Sequence, residues 1–394
     1  MKVLTKEMKV PRMGEKDYDK VSVDERRAWL ARQTGVAFEH IAAYSTPSTA
    51  MKGNIENLIG ACQIPLGVVG PLSVNGEHAK GLFYVPMATT EGALVLDYQL
   101  GALMCTESGG VNVRIFRDFV HVDPAFYVDG LLEGQEFMRW LERHFASLKR
   151  IAESTTSHGQ LLRIEPVMIS RRVILKMVFD TKDAHGLNMI NKASEKVCEH
   201  IKKELGLAYC LRSHHSSIKG VATNNYHEGQ GKAVFADIVV SKETLALFFR
   251  VKPIDIEKYY TSSLYAAIQA NRLGHTGHAA NGLTAMFIAC GQDVADISVS
   301  HVGVSTAEVN KRGDLYVSLY LPNLFLGTVG GGTALGTQKE CLEMIGCYGK
   351  GKVKKFTEIV AAATIAGEIS VLCALVNGNY VKAHEIYGRN RPAK

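Results

Sequence analysis

A chain of 394 residues with 46% hydrophobic content can bury a large core, and its length suits two or three domains. Lysine and arginine number 45 against 39 aspartates and glutamates, a net charge of +6, and the densest basic run is the short KGKVKK at 350–355, which argues against a nucleic-acid partner. The eight cysteines are scattered without a C-x-x-C pair, and the N-terminal twenty residues lack an apolar stretch, so a disulfide scaffold and a signal peptide are both set aside in favour of a soluble, cytoplasmic protein with reduced thiols.

Residues 1–50 are polar and carry one helical patch, SVDERRAWLARQTG, with Ser22 expected as its N-cap and Gly35 as its stop. This reads as a small helical N-terminal arm. From Asn54 to Tyr84 the glycines and prolines mark turns between short strands, and a helix is expected to start at Thr90 or Glu91. Residues 123–210 look like an inserted unit. Its first helix puts Phe137, Trp140, Leu141, Phe145 and Leu148 on one face; RRVILKMVFD follows as a strand; a second helix runs from DAHGLNM to Gly206. The segments 51–122 and 211–380 then form one discontinuous larger domain, with strands KAVFADIVV and DLYVSLYLP, an Ala-rich helix through GHAANGLTAMFIACG and a last apolar helix. That last run, Ile359 to Val376, contains Glu368 and is Ala-rich, which favours a buried helix over a membrane span. Residues 381–394 are a tail.

Taken one at a time, the candidate chemical groups are ambiguous. Glu91 in ATTEGA suits a helix first turn as well as proton transfer, Asp293 in ACGQD can simply end a helix, and Lys219 and His384 are single residues in polar surroundings. DAHGLN opens a helix with a glycine, as a phosphate site does, but lacks G-x-G-x-x-G. The run GTVGGGT is either a phosphate cradle or a tight turn. His275 and His278 in HTGH have ligand-like spacing without an evident third ligand, and no metal is expected.

In order, the blocks ENLIG, IPLGVVGPL, PMATTEGALV, DAHGLNMI, GHAAN, IACGQD, LGTVGGGT and GNYVKAHEI resemble the signature segments of the hydroxymethylglutaryl-CoA (HMG-CoA) reductase family, from about residue 25 to 390. The resemblance implies an α+β fold: a large domain with a long central helix, an inserted ferredoxin-like NAD(P)-binding domain and a helical arm. It implies catalytic roles for Glu91, Lys219, Asp293 and His384 in a four-electron reduction of an acyl thioester to a primary alcohol. It places Asp183, Gly186, Leu187, Asn188, Met189, Ser157, Gly330 and Gly331 at the cofactor, with Arg389 beside the adenosine 2′-phosphate. NADPH is therefore favoured and NADH is the other candidate, since His158 stands where relatives with a long tail carry arginine. A homodimer or larger homo-oligomer with an interface active site is implied too.

The substrate side departs from the pattern. Where the family reads A-S-x-N-R-G for coenzyme A, this chain has Leu96, Asp97, Gln99 and Leu100; its lysine loop reads Ile218, Lys219, Gly220 in place of D-K-K. Val122 and Thr261 stand at an expected arginine and lysine. Each hydrogen bond to a charged group contributes about 1.5–3 kcal/mol, so losing two or three weakens binding by roughly a thousandfold or more. The expectation is retained chemistry with altered recognition of the acyl-CoA or carrier-bound thioester, beside the family reaction itself, HMG-CoA to mevalonate, and a non-catalytic binding relative. Glu56, Asn281, Asp97, Arg212, His214 and His215 are the candidate substrate contacts.

Overall fold

The computed structural model describes residues 8–388. Counting helices of eight residues or more, these are α1 (Lys20–Thr34), α2 (Leu94–Glu107), α3 (Leu131–Glu153), α4 (Leu187–Leu205), α5 (Lys242–Phe249), α6 (Pro253–Gln269), α7 (Ala279–Ala289), α8 (Gly336–Met344) and α9 (Val353–Val376). The strands are β1 (Leu66–Asn75), β2 (Lys80–Ala88), β3 (Val111–Val122), β4 (Ala125–Tyr127), β5 (Gln160–Ile169), β6 (Arg172–Asp180), β7 (Tyr209–Cys210), β8 (Gly231–Val240), β9 (Val304–Val309) and β10 (Leu315–Leu324).

One long strand joins two cores. Residues Asn112–Phe119 of β3 pair antiparallel with β8, while Val120–Val122 pair antiparallel with β6. The β8 side continues through β10 to β9, and the β6 side carries β5 and, through β4, β7. On the first side α2, α7 and α9 cover a core that includes Val113, Val234, Phe287 and Ile365. On the second, the stripes of α3 (Phe137, Leu141, Leu148) and α4 (Ile190, Val197, Ile201) close over Val173, Leu175 and Met177 of β6. The 3.6-residue spacing of those apolar positions is what lets each helix bury one face. Gly206 ends α4 in the left-handed region, with its amide on the Lys202 carbonyl.

α9 is the axis of the larger side, and nearly all of it is buried. By length and composition it could cross a membrane, but 83% of its most apolar window lies inside the fold. Its two buried glutamates explain how charge is tolerated there. Glu358 accepts the amides of His78 (2.8 Å) and Ala79 (2.6 Å) at the β1–β2 turn, and Glu368 accepts those of Gly277 (2.7 Å) and His278 (2.6 Å) just before α7. Burial pushes the Glu368 carboxyl up, against the opposing pull of those amides. Gly101 lets α2 approach closely: a Cβ there would sit 2.1 Å from the Ala366 carbonyl oxygen.

Two boundaries differ from the sequence reading. α1 begins at Lys20, so Ser22 lies buried in its first turn instead of capping it. α2 begins at Leu94, after a turn in which Ala93 has φ 72°, so Glu91 precedes the helix and is not a first-turn charge.

Candidate active site

Glu91 stands on an exposed turn between β2 and α2. Its amide donates to Thr89 Oγ1 (3.0 Å), and Nδ2 of Asn281, in the first turn of α7, donates to its carboxylate at 2.9 and 3.2 Å. The C-terminal turn His384–Gly388 packs on this loop; a Cβ on Gly92 would come within 2.4 Å of Gly388 Cα, so only glycine allows that approach. His384 Nδ1 bonds the Tyr380 carbonyl at 2.9 Å. Glu91 and His384 line one cavity of about 390 Å³, with Asp97, His278, Leu96 and Leu100 among its walls.

Residues 96–100 of α2 build this wall. Ser370 Oγ donates to one oxygen of Asp97 (2.6 Å), and the other lies 3.0 Å from His278 Nδ1. Gln99 is spent on the backbone, bonding both the amide and the carbonyl of Gly70 at 2.8 Å. Tyr98 points inward over Gly282 and Gly367, where a Cβ would approach its ring within 2.2 and 2.3 Å, and its hydroxyl donates to the His278 carbonyl at 3.0 Å. α2 thus contributes leucines and one carboxylate to the cavity and no cation, while Arg250, His278 and His384 lie elsewhere on its lining. His275 packs edge-on against Tyr260 at 4.8 Å, and burial lowers its pKa.

A second cluster lies beyond the other end of α7. Lys219 Nζ donates to Asp293 Oδ2 at 2.5 Å; Asp293 Oδ1 accepts the Ala295 amide at 3.1 Å. Burial pushes the Asp293 carboxyl up, but the hydrogen bond and charge of Lys219, with the Ala295 amide and His185, outweigh it and hold the pKa below its ordinary 3.8. Lys219 itself has φ 58°, on a loop where His214 and Ser217 also take left-handed backbone. Such non-glycine residues cost of order 1 kcal/mol or more each and persist where surrounding structure holds them. Here the hold comes from Asp123, which accepts from His121 (2.6 Å) and His215 (2.7 Å) and whose carbonyl takes Ser213 Oγ (2.7 Å).

The loop Thr181–Gly186 borders this cluster. Gly186 has φ 85°, and a Cβ there would strike Thr181 at 2.3 Å. The glycine-rich run lies against it: Val329 bridges Ala184, and the Thr328 amide donates to the Asp183 carbonyl at 2.8 Å. No side chain caps the start of α4, and a Cβ on Gly330 or Gly331 would meet nothing within 4 Å. An uncapped helix start facing open glycine backbone is a fit for a phosphate. Thr156 bonds Met189 Sδ at 3.0 Å and so brings Ser157, itself hydrogen-bonded to His158, to the same end of α4; Leu187 and Asn188 are in its first turn. Asp183 has a different task from the one anticipated: its carboxylate accepts the amides of Gly351 (2.8 Å), Lys352 (3.0 Å) and Val353 (3.1 Å), capping α9. Arg389 lies outside the described residues.

Of the expected substrate contacts, Asn281 and Asp97 are at the Glu91 cavity, while Arg212 and His214 are exposed on the Lys219 loop. His215 is tied through Nδ1 to Asp123, and Glu56 is exposed in the segment before β1, bonded to neither cluster. Sequence reasoning missed His185 and Asp296, which join at 2.5 Å beside Asp293; the signal was the pair of unexplained polar residues inside the blocks DAHGLN and GQDVAD.

Two cores sharing one long strand, with a lysine–aspartate pair beside a glycine-lined helix start, define an α+β protein with a candidate nucleotide site. Its architecture resembles that of a class II 3-hydroxy-3-methylglutaryl-CoA reductase from Streptococcus pneumoniae, solved bound to NADPH, with a TM-score of 0.69 at 19% identity over 90% of this chain and 86% of that one. The sequence is 40% identical to a protein of Methanocaldococcus jannaschii and 38% to one of Pyrococcus horikoshii, each named 3-hydroxy-3-methylglutaryl-coenzyme A reductase, over 98% and 94% of this chain and 98% and 92% of theirs. The model of the hydroxymethylglutaryl-coenzyme A reductase family matches residues 22–389, and the chain belongs to that family. Neither relative's name points to a different thioester, so the expectation of altered recognition draws nothing from them.

Proposed function

We propose that this chain catalyses the family reaction, the four-electron reduction of HMG-CoA to mevalonate, with NADPH as reductant. The observation that carries it is the Lys219–Asp293 pair at 2.5 Å against the glycine-lined loop at the start of α4. A bound nicotinamide dinucleotide supplies the hydrides, two molecules per thioester. Gly186 and the α4 amides, with Gly330 and Gly331 opposite, would hold its phosphates.

The chain's own residues do the rest. As charge builds on the thioester oxygen, the Lys219 ammonium stabilises it, and Asp293 keeps that ammonium charged and aimed. When the hemithioacetal collapses, the departing thiolate takes a proton from His384. Glu91, oriented by Asn281, serves proton transfer to the alcohol oxygen as the aldehyde is reduced.

These groups do not converge within one copy. Glu91 is bonded to Asn281, eight residues and about 12 Å of helix before the end of α7, and Asp293 lies four residues past that end. A single substrate carbonyl cannot reach both. The reading therefore includes a homodimer in which Glu91 and His384 of one copy face Lys219 and Asp293 of the other. A second reading, reduction of a different acyl thioester, takes its support from the α2 wall alone, where Leu96, Asp97 and Leu100 offer no cation; Arg250, elsewhere on the lining, is the cation available to a phosphorylated carrier. Following NADPH and NADH oxidation with HMG-CoA and a thioester panel decides between them. Two cofactors consumed per thiol released from micromolar HMG-CoA supports the first; turnover of another thioester alone supports the second.

A further inference from the structure

The cluster around Asp293 contains more charge than the reaction described above uses. His185 Nε2 and Asp296 Oδ2 are 2.5 Å apart, and the coordinating atoms of His185, Asp293 and Asp296 all lie within 4.8 Å of one another. Asp296 is wholly buried, while His185 retains a quarter of its side-chain exposure. Among the described residues the imidazole is the only hydrogen-bond partner of that carboxylate, whose other oxygen, Oδ1, is buried without one.

Three ligand atoms so close would suit a divalent cation, but the charges disfavour one. Lys219 already places an ammonium 2.5 Å from Asp293, so two carboxylates and one ammonium leave a single negative charge to neutralise. A divalent ion overshoots that and repels the lysine. A buried carboxylate left without a partner costs several kcal/mol, and the His185 imidazole is the group placed against Asp296. The groups facing His185 are Asp296 and Asp293 from the segment after α7, Lys219 through Asp293, and the uncharged ring of Phe325, 5.6 Å away. Asp183 on its own loop is turned to the α9 amides.

We propose that His185, held by Asp296, is a positioning residue of the reductive site: it keeps Asp293 shared between the imidazole and the Lys219 ammonium, so that Asp293 aims Lys219 without turning wholly to it. The backbone supports this placement, since the His185 amide is pressed against Gly327, where a Cβ would come within 2.6 Å. The imidazole acts through Asp293 and touches no reacting atom. The proposal rests on the function given above, in that Lys219 is the group it serves.

The test uses the full-length protein and the variants His185→Gln and Asp296→Asn, with His185→Gly as a third, each checked by thermal melting. Two readouts are taken. The first is kcat and KM for HMG-CoA and NADPH from pH 5.5 to 9.5. The second, which needs no turnover, is the pH midpoint of acetic anhydride labelling at Lys219, read by mass spectrometry. His185→Gln and Asp296→Asn are expected to lower kcat about 10- to 100-fold with either KM changed less than about threefold, as for loss of an interaction made in the transition state. Their double variant is expected to be no worse than either alone, because the two act as a unit. The Lys219 labelling midpoint is expected to move to higher pH as Asp293 turns wholly to the lysine, and added imidazole is expected to restore part of the activity of His185→Gly. Folded His185→Gln and Asp296→Asn with an unmoved midpoint overturn the proposal, whatever the turnover. A midpoint that moves in the variants, together with a wild-type protein that reduces no thioester, keeps the dyad and refutes the function.

Discussion

Asp183 is the residue for which family resemblance and structure suggest different work. The resemblance places it at the cofactor; the structure has its carboxylate accepting three amides, at 2.8, 3.0 and 3.1 Å, at the start of α9. A cap of this type contributes about 1–2 kcal/mol, and a carboxylate at a helix N-terminus adds up to about 1 kcal/mol. Asp183→Ala should therefore destabilise the protein by about 2 kcal/mol. At roughly 2 °C or less per kcal/mol for a chain longer than 250 residues, melting falls by about 4 °C or less. Asp183→Asn should lose about half as much, since one acceptor oxygen remains. Because the same loop leads into α4, KM for NADPH should rise a fewfold in both, while kcat changes little. Thermal melts read with and without NADPH check this. A variant that melts like the wild type in the absence of cofactor, yet loses cofactor affinity tenfold or more, would mean that the carboxylate serves the ligand and not α9.

Lys219→Ala should lower kcat by about 10²–10³, the loss found when one oxyanion donor is removed, with KM for NADPH nearly unchanged; steady-state kinetics check it. Asp293 gives a pH prediction. Its folded pKa lies below 3.8, so its pairing stabilises the fold above that pH and the contribution disappears as pH falls through the lowered value. Urea titrations should accordingly show a gap between wild type and Lys219→Met at pH 6 that narrows below pH of about 4. Asp97→Asn removes a negative charge from the wall of the Glu91 cavity and should lower KM for HMG-CoA severalfold, with a smaller change in kcat; a raised KM would mean that the carboxylate contacts the substrate. Gly282→Ala puts a Cβ 1.9 Å from the Tyr98 hydroxyl and should destabilise by about 1–3 kcal/mol or more in denaturant titrations.

Elements with strong periodicity were legible from sequence. The stripe of α3, the β-branched run of β6 and the glycine stop of α4 each follow from local rules, and the structure has them within a few residues. Ends set by tertiary contact were not. The turn before α2 is held by Gly92 against Gly388, nearly 300 residues away, and no local signal at Glu91 reports that. The buried glutamates of α9 read only as interruptions of an apolar run, because their amide partners come from distant turns. Within the site, residue types were readable and pairings were not: His215 looked free for substrate and is tied to Asp123, and Gln99 is absorbed by Gly70. His185 and Asp296 escaped notice since the positions are 111 apart and only the fold brings them together.

The central claim is that one reducing site takes Glu91 and Lys219 from different copies. Co-expression of Glu91→Gln with Lys219→Ala tests it directly, because a mixed dimer then holds one site with both defects and one with neither. Random pairing makes half the dimers mixed, so the purified mixture should recover about a quarter of wild-type HMG-CoA-dependent NADPH oxidation, while each variant alone stays near background. A mixture as inactive as its components, with mixed dimers demonstrated by tag pull-down, would place the whole site within a single chain and contradict the account.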